Sequence, residues 1–399
     1  MSEAADRPAR GGAARSPFRI GMRRLWRNAS AMAAAWTLAI LYAVALFADF
    51  VSPYPYDAAV RDMSYAPPQL RWRDSSGAFH WRPFVYRRWF DFDPVTNQRV
   101  WREDQTKRYP VQLWVKGAPH RLLGLFTMER RLFGLGAPEE QAAPAEPVME
   151  GALPPPTEEE LPARIYILGA DGRGRCLLSR ICYGARVSLS IGLLGSAISF
   201  IVGMLVGGVS GYFGGKVDAV IQRLCEMIMM VPGFYLMLAL RSALPLDLPS
   251  TQVYIMVVAI MSFIGWAGFA RVIRGLVLSI RTQDYVVAAQ ALGAGPGRII
   301  VRHVLPNTLS YAIISLTMGI PGYILGESGL SLIGLGIMDP EASWGNLLSE
   351  AMEMNQIRYH PWVLIPGFLI FLAVVAFNML GDGLRDAFDP QGVTRQEGK

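Results

Sequence analysis

Charge is scarce in this sequence. Asp, Glu, Lys and Arg make up 18% of its 399 residues, against roughly 25% in ordinary globular chains. Cysteine is scarcer still. Cys225 falls inside an apolar run, and Cys176 and Cys182, six apart, would point to different faces of a helix, so neither a metal site nor a disulfide is expected. His80, His120, His303 and His360 are scattered. Gly-x-Ser-x-Gly and His-Glu-x-x-His do not occur, and Gly326-Glu327-Ser328-Gly329 has no catalytic context. Gly214-Gly215-Lys216-Val217 is not a phosphate-binding loop, because Ser210 stands where the first Gly is needed and Val217 where a Ser or Thr must follow the Lys. These absences speak against a membrane enzyme or protease. They also predict no cofactor, no metal and no ATP site in this chain.

Apolar residues are abundant: 52% of the chain, with a mean hydropathy of +0.27, more than a soluble domain can bury. A membrane span needs about 20 apolar residues to cross about 30 Å of hydrocarbon. Six stretches qualify: about 29–51, between Arg186 and Lys216, about 222–243, between Asp247 and Arg271, about 306–335, and between His360 and Asp382. The first follows Arg19, Arg23, Arg24 and Arg27. It is too long for a signal-peptide core and lacks a small-residue cleavage site, so it reads as a retained signal anchor. The net charge of +6 is then arginine flanking membrane spans rather than a nucleic-acid surface.

The arginines also set orientation. The gap between spans four and five holds Arg271, Arg274, Arg281, Arg298 and Arg302, and the tail holds Arg385, Arg395 and Lys399. The gaps on the other side hold Arg241 and Arg358 alone. The positive-inside rule puts the N-terminus, the 271–305 loop and the tail in the cytoplasm. The organisation expected is a cytoplasmic segment 1–28, helix one at 29–51, an extracytoplasmic insert 52–165, a helical core 166–390 and a cytoplasmic tail 391–399. The insert is rich in Trp, Tyr and Arg. Tyr109 to Val115 alternates like a strand with Val111, Leu113 and Val115 on one face, and 137–160 has the Pro, Ala and Glu content of a linker. A small folded subdomain of mixed or β character suits it better than a nucleic-acid surface.

One loop is ordered enough to need a function. Asp284, Tyr285, Ala288 and Ala289 lie on a short helix of good formers, Gly293 breaks it, a second helix runs through Arg298 to Val304, and Pro306 stops it. The small residues leave a flat surface that another protein can approach closely, and a helix lying in a groove is a common docking mode.

This loop resembles the coupling loop of binding-protein-dependent ABC importer permeases. In those permeases Glu-Ala-Ala, three residues, Gly and nine residues precede an apolar-x-Leu-Pro ending. Ala288-Ala289, Gly293 and His303-Val304-Leu305-Pro306 keep that spacing, with Val287 in place of the Glu and His303 in place of an apolar residue. Leu168-Gly169-Ala170-Asp171, Gly174-Arg175, Leu178-Ser179-Arg180 and Tyr183 to Leu189 are similar to the segment that opens the core in the dipeptide and oligopeptide branch. Gly211 to Asp218, Ser343-Trp344-Gly345-Asn346 and Gly381 to Pro390 are similar to later parts of it, and Ser52 to Asp57 to its second-type permease subunit. The resemblance covers about 20–57 and 166–390. It implies an all-α integral membrane protein with a type I importer core of helices two to six.

By the same resemblance, the chain is a channel-forming permease subunit of an ATP-driven importer of peptides or peptide-like solutes, in a bacterial or archaeal cytoplasmic membrane. Its implied partners are a second homologous permease, two ATP-binding subunits that hold ATP and Mg, and an extracytoplasmic substrate-binding protein. Nickel, glutathione, opines and antimicrobial peptides are alternative solutes for the same core. An ion-coupled secondary transporter is the rival class, but it should carry inverted repeats, and no internal repeat is visible.

Two carboxylates fall inside spans, where facing lipid costs about 3 kcal/mol. Glu226 lies within a turn of Arg223, which suggests an ion pair. For Glu327 two readings stand: it lines the pathway, or it pairs with an Arg or a backbone group near the cytoplasmic end. Pro232-Gly233 and Pro321-Gly322 are expected to interrupt spans three and five, as breaks beside a pathway do.

Overall fold

The computed structural model describes residues 17–92, 99–122, 126–140, 156–245 and 248–388. The core of the 137–160 linker, the first sixteen residues and the 391–399 tail therefore lie outside the described residues.

Helix α1 (Pro17–Arg27) is amphipathic and leads into α2 (Ala29–Leu46), whose start is capped by the Asn28 side chain accepting the Ala31 N–H at 3.2 Å. Then come α3 (Leu177–Phe213), α4 (Gly215–Met230), α5 (Gly233–Ser242), α6 (Ser250–Ile280), α7 (Asp284–Ala291), α8 (Leu305–Leu332) and α9 (Ile365–Phe388). Among the described residues five helical stretches are long and apolar enough to span a membrane, with α4 and α5 together as a sixth bent by 82°. The expected span at 222–243 is thus a broken one. Val231 takes an extended ψ of 126° before Pro232, as a residue preceding proline prefers. Pro321 does not interrupt its span: α8 runs through it, with Ile320 and Ile324 packed against α3.

Glycine permits the closest packing. Gly203, Gly207 and Gly211 recur every fourth residue along one face of α3, and α6 lies on that face. A Cβ at Gly207 would come within 2.4 Å of the Ala270 carbonyl oxygen, and one at Gly203 within 2.5 Å of Phe269. Between helices in lipid, small residues at four-residue spacing replace the missing hydrophobic drive with backbone contact. Helices α2, α3, α8 and α9 bury a second core around Leu38, Leu189, Ile324 and Phe377.

Between α2 and α3 stands a β layer: β1 (Arg71–Arg73), β2 (Phe79–Phe92), β3 (Arg99–Leu122), β4 (Phe126–Leu135) and β5 (Glu139–Glu140), all antiparallel. The long β3 is shared. Its first half pairs with β2 (Phe84 opposite Pro110) and its second half with β4 (Val111 opposite Leu135). Alternation fails after Val111, because Trp114 has φ +60° and Leu113 is 70% exposed. The three cysteines are free buried thiols.

Candidate functional site

The α6–α8 connection is built on a helix end. In α7, Val286 is fully buried against Ile299, Ile300 and Val304, while Asp284, Tyr285, Val287 and Ala288 face outward. Ala289 turns inward, so the two alanines have different surroundings. The helix ends in a Schellman motif: the Gly293 N–H donates to the Gln290 carbonyl at 2.9 Å and the Ala294 N–H to the Ala289 carbonyl at 3.1 Å. That motif requires a left-handed residue, and Gly293 has φ +80° with nothing within 4 Å of where its Cβ would be. Leu292, just before it, is 88% exposed. An apolar side chain projecting from a rigid tip is the feature sequence reasoning missed, although an apolar residue next to the breaking Gly was visible there.

Past Gly293, Pro296–Ile299 forms one helical turn, Ile300–Val304 a π-turn, and α8 follows directly. Pro306 therefore lies in the first turn of α8 instead of stopping a helix. The π-turn just before it accommodates its missing N–H, and the Asn307 side chain donates to the His303 carbonyl at 2.7 Å and to the Tyr285 hydroxyl at 3.0 Å. Arg298 and Arg302 are exposed and His303 is half-buried.

This tip is tied to the bundle. Gln290 donates to the Tyr212 hydroxyl at 3.1 Å, and Arg281 donates to the carbonyls of Gly211 and Tyr212 at 3.1 and 3.2 Å, closing the end of α3. Two turns away Arg274 of α6 grips Asp218 of α4, with Nε to Oδ1 at 3.0 Å, and Asp218 also accepts from Ser210. Glu226 completes the row, 2.9 Å from Arg223 and 3.6 Å from Arg271. These groups line an open polar cavity of about 530 Å³ between α4 and α6.

A second cavity, about 380 Å³ and apolar, lies at the α4–α5 break between Phe234, Met237, Met261, Tyr323 and Gly326. Pro232 is beside it; Glu327 is not in it. Glu327 is fully buried, accepting from Ser188 and Ser331 at 2.8 Å each and from Ser328 at 3.4 Å. It pairs with hydroxyls rather than an Arg, and 22 residues separate it from the start of α8, about 33 Å along the axis. Ser188 also accepts the Trp344 N–H at 3.1 Å, so the carboxylate holds down the turn that begins at Ser343.

At that same end four charges from distant segments meet. Asp171 lies 2.6 Å from Arg175, and Asp339 lies 2.9 Å from Arg175 and 2.8 Å from Arg180. Beside them Glu350 accepts the Gly172 N–H at 3.2 Å. Burial, with the Asp171 charge adding to it, pushes its carboxyl up to about 7. Among the described residues no group of His, Cys, Asp and Glu is arranged to hold a metal ion.

A bundle of broken and unbroken apolar spans, with an ordered helical tip between two of them, defines a polytopic membrane permease. Residues 200–391 match the family of binding-protein-dependent transport system inner membrane components, and residues 16–68 match the N-terminal TM domain of oligopeptide transport permease C. The dipeptide transport system permease protein DppC of Bacillus subtilis is 38% identical over 237 residues, 59% of this chain and 72% of that protein. The oligopeptide transport system permease protein OppC of Haemophilus influenzae is 38% identical over 227 residues, 57% of this chain and 70% of that protein. The corresponding OppC of Bacillus subtilis is 35% identical over 231 residues, 58% of this chain and 73% of that protein. The chain belongs to this family of inner-membrane components, as an ABC importer permease of the dipeptide and oligopeptide branch. Residues 69–199, which hold the β layer, lie outside both family matches.

Proposed function

We propose that this chain forms one half of a peptide-conducting channel and that the 284–304 tip couples it to an ATPase. Peptides are the solute class because the similar permeases carry dipeptide and oligopeptide in their names. In this reading α7 sits in a cleft of an ATP-binding subunit, and ATP and Mg belong to that partner. A second, homologous permease closes the pathway, and a substrate-binding protein delivers from outside. The tip, the N-terminus and the tail are cytoplasmic, and 52–165 is extracytoplasmic.

The observation that carries the coupling role is the exposed Leu292 beside the left-handed Gly293. An exposed apolar knob with free space around it is suited to insertion into another protein. Movement of the tip then reaches the bundle through two links: Gln290–Tyr212 with Arg281 at the end of α3, and Arg274–Asp218 between α6 and α4. The corner between α4 and α5 lies at the other end of α4.

The test is transport by the assembled importer carrying Leu292→Arg. Uptake should be lost while the subunit stays in the membrane, and a cysteine at 292 should crosslink to the ATPase. Gly293→Trp should behave likewise, although the strained backbone makes Leu292→Arg the cleaner variant. Normal uptake by Leu292→Arg with no crosslink from 292 would move the docking surface elsewhere. Orientation is tested separately by single cysteines at 100 and 295 with an impermeant reagent, which should label position 100 only.

A further inference from the structure

The β layer carries a surface that the transport reading does not use. Trp114 on β3 and Met128 on β4 face Ile40, Val44, Phe47 and Phe50 at the end of α2 across an apolar cavity of about 480 Å³. Trp114 packs on Phe50 with ring centroids 5.3 Å apart. Its φ of +60° is uncommon for a bulky side chain, and such outliers persist where the surroundings hold them for a purpose. The hairpin is pinned in place: Arg131 of β4 donates to the Ser52 carbonyl at 2.7 Å, just beyond the span.

Two observations identify what fills this groove. Its floor is the outer surface of a membrane span. Ile40 lies seven residues, about 10 Å, below Phe47 along α2, and Trp36, Ile40 and Leu46 are exposed on the same helix. The groove is thus continuous with a lipid-facing surface. Its rim is basic: two residues along each strand from Trp114 and Met128, and so between them along the hairpin, stand Lys116 and Arg130, both exposed and directly opposite each other in the ladder. Like charges placed so repel. Lys116 also reaches Glu129 at 3.2 Å, which leaves the rim net positive. Leu113 and Phe126, 70% and 67% exposed, are further apolar side chains on the hairpin. Apolar and aromatic groups with cations among them match the membrane interface.

We propose that the β3–β4 hairpin lies on the membrane and clamps a phospholipid against the first span, with an acyl chain in the Trp114–Phe47 groove and the phosphate at Lys116 and Arg130. The insert then acts as a membrane-anchored strut instead of a free extracytoplasmic lobe.

The experiment places an environment-sensitive fluorophore at Leu113→Cys or Phe126→Cys of the full-length chain in nanodiscs of phosphatidylcholine and phosphatidylglycerol, with Trp81→Cys as reference. Trp81 is 90% exposed on β2, and the native thiols are buried. Lipid carrying a nitroxide just below the headgroup should quench positions 113 and 126 severalfold more than 81, and aqueous iodide should quench them severalfold less. Lys116→Glu with Arg130→Glu, both on exposed sites, should reduce the lipid quenching. Equal iodide access at 113 and 81 would overturn the proposal. So would protection from iodide without quenching by lipid, which would mean that a protein covers the hairpin.

Discussion

Arg180 and Asp339 lie 2.8 Å apart, although 159 residues separate them in the chain, and Arg180 is 2% exposed. With Arg175 and Asp171 they join the start of α3 to the loop after α8. Removing Arg180 leaves Asp339 to Arg175 and Arg173, and Asp171 to Arg175 alone. Arg180→Met should therefore cost about 1–3 kcal/mol, read as a lowered thermal midpoint of the purified protein. Adding Asp339→Leu should recover part of that loss, because Asp171 and Arg175 remain paired. An unchanged midpoint in Arg180→Met would show that the quartet is not stabilising.

The glycine face of α3 gives a paired test. Gly207→Ala drives a methyl into the Ala270 carbonyl, whereas a Cβ at Gly268 of α6 meets nothing within 4 Å. Gly207→Ala should destabilise by about 1–3 kcal/mol, and Gly268→Ala should stabilise by up to about 1 kcal/mol through helix propensity. Thermal unfolding of both in one detergent decides it; equal effects would mean that α3 and α6 do not meet at Gly207.

Glu350 sets a pH dependence. Its carboxyl is raised to about 7 from 4.5, so the folded protein holds a proton that the unfolded chain releases. Its contribution to stability is fully present below pH 4.5, is lost as pH rises to about 7, and changes no further above that. Glu350→Gln should flatten the thermal midpoint across this window relative to the unsubstituted chain and raise it at pH 8. The gain there is of the order of 1–3 kcal/mol. Identical slopes for the two proteins would remove Glu350 from the account.

The Arg274–Asp218 pair should matter more to transport than to stability. Its side chains are 33% and 14% exposed, and pairs near the surface contribute about 0–1 kcal/mol. Asp218→Arg should cut uptake severalfold with little change in thermal midpoint. Exchanging the two residues, Asp218→Arg with Arg274→Asp, should restore it. Full uptake by the single variant would exclude this link from the coupling route.

Much of this architecture was legible in sequence because lipid imposes a simple rule. Apolar runs of span length marked five helices and most of the sixth, and the break after Ala288-Ala289 marked the tip. Local signals failed where tertiary packing decides. Pro232-Gly233 and Pro321-Gly322 look alike as dipeptides. The residues around Pro232 are exposed and the chain turns there, whereas around Pro321 Ile320 and Ile324 pack on α3 and the helix continues. The Asp171–Arg175–Arg180–Asp339 quartet was invisible for a different reason: no pattern of spacing links position 180 to 339. Glu327 was seen as costly, but its solution, three serine hydroxyls from two helices, depends on which faces meet.

The corner at Val231–Pro232 has a mechanical meaning. A straight span can only slide or tilt as a rod, so a push at one end appears at the other nearly undiminished. An 82° corner turns it into a crank. α5 is a ten-residue arm, about 15 Å long, and a rotation of 10° at the corner would sweep its far end sideways by roughly 3 Å at that length. On the coupling proposed above, axial force arriving along α4 would become lateral motion beside the apolar cavity, with the close-packed α3–α6 pair as the frame against which the crank turns.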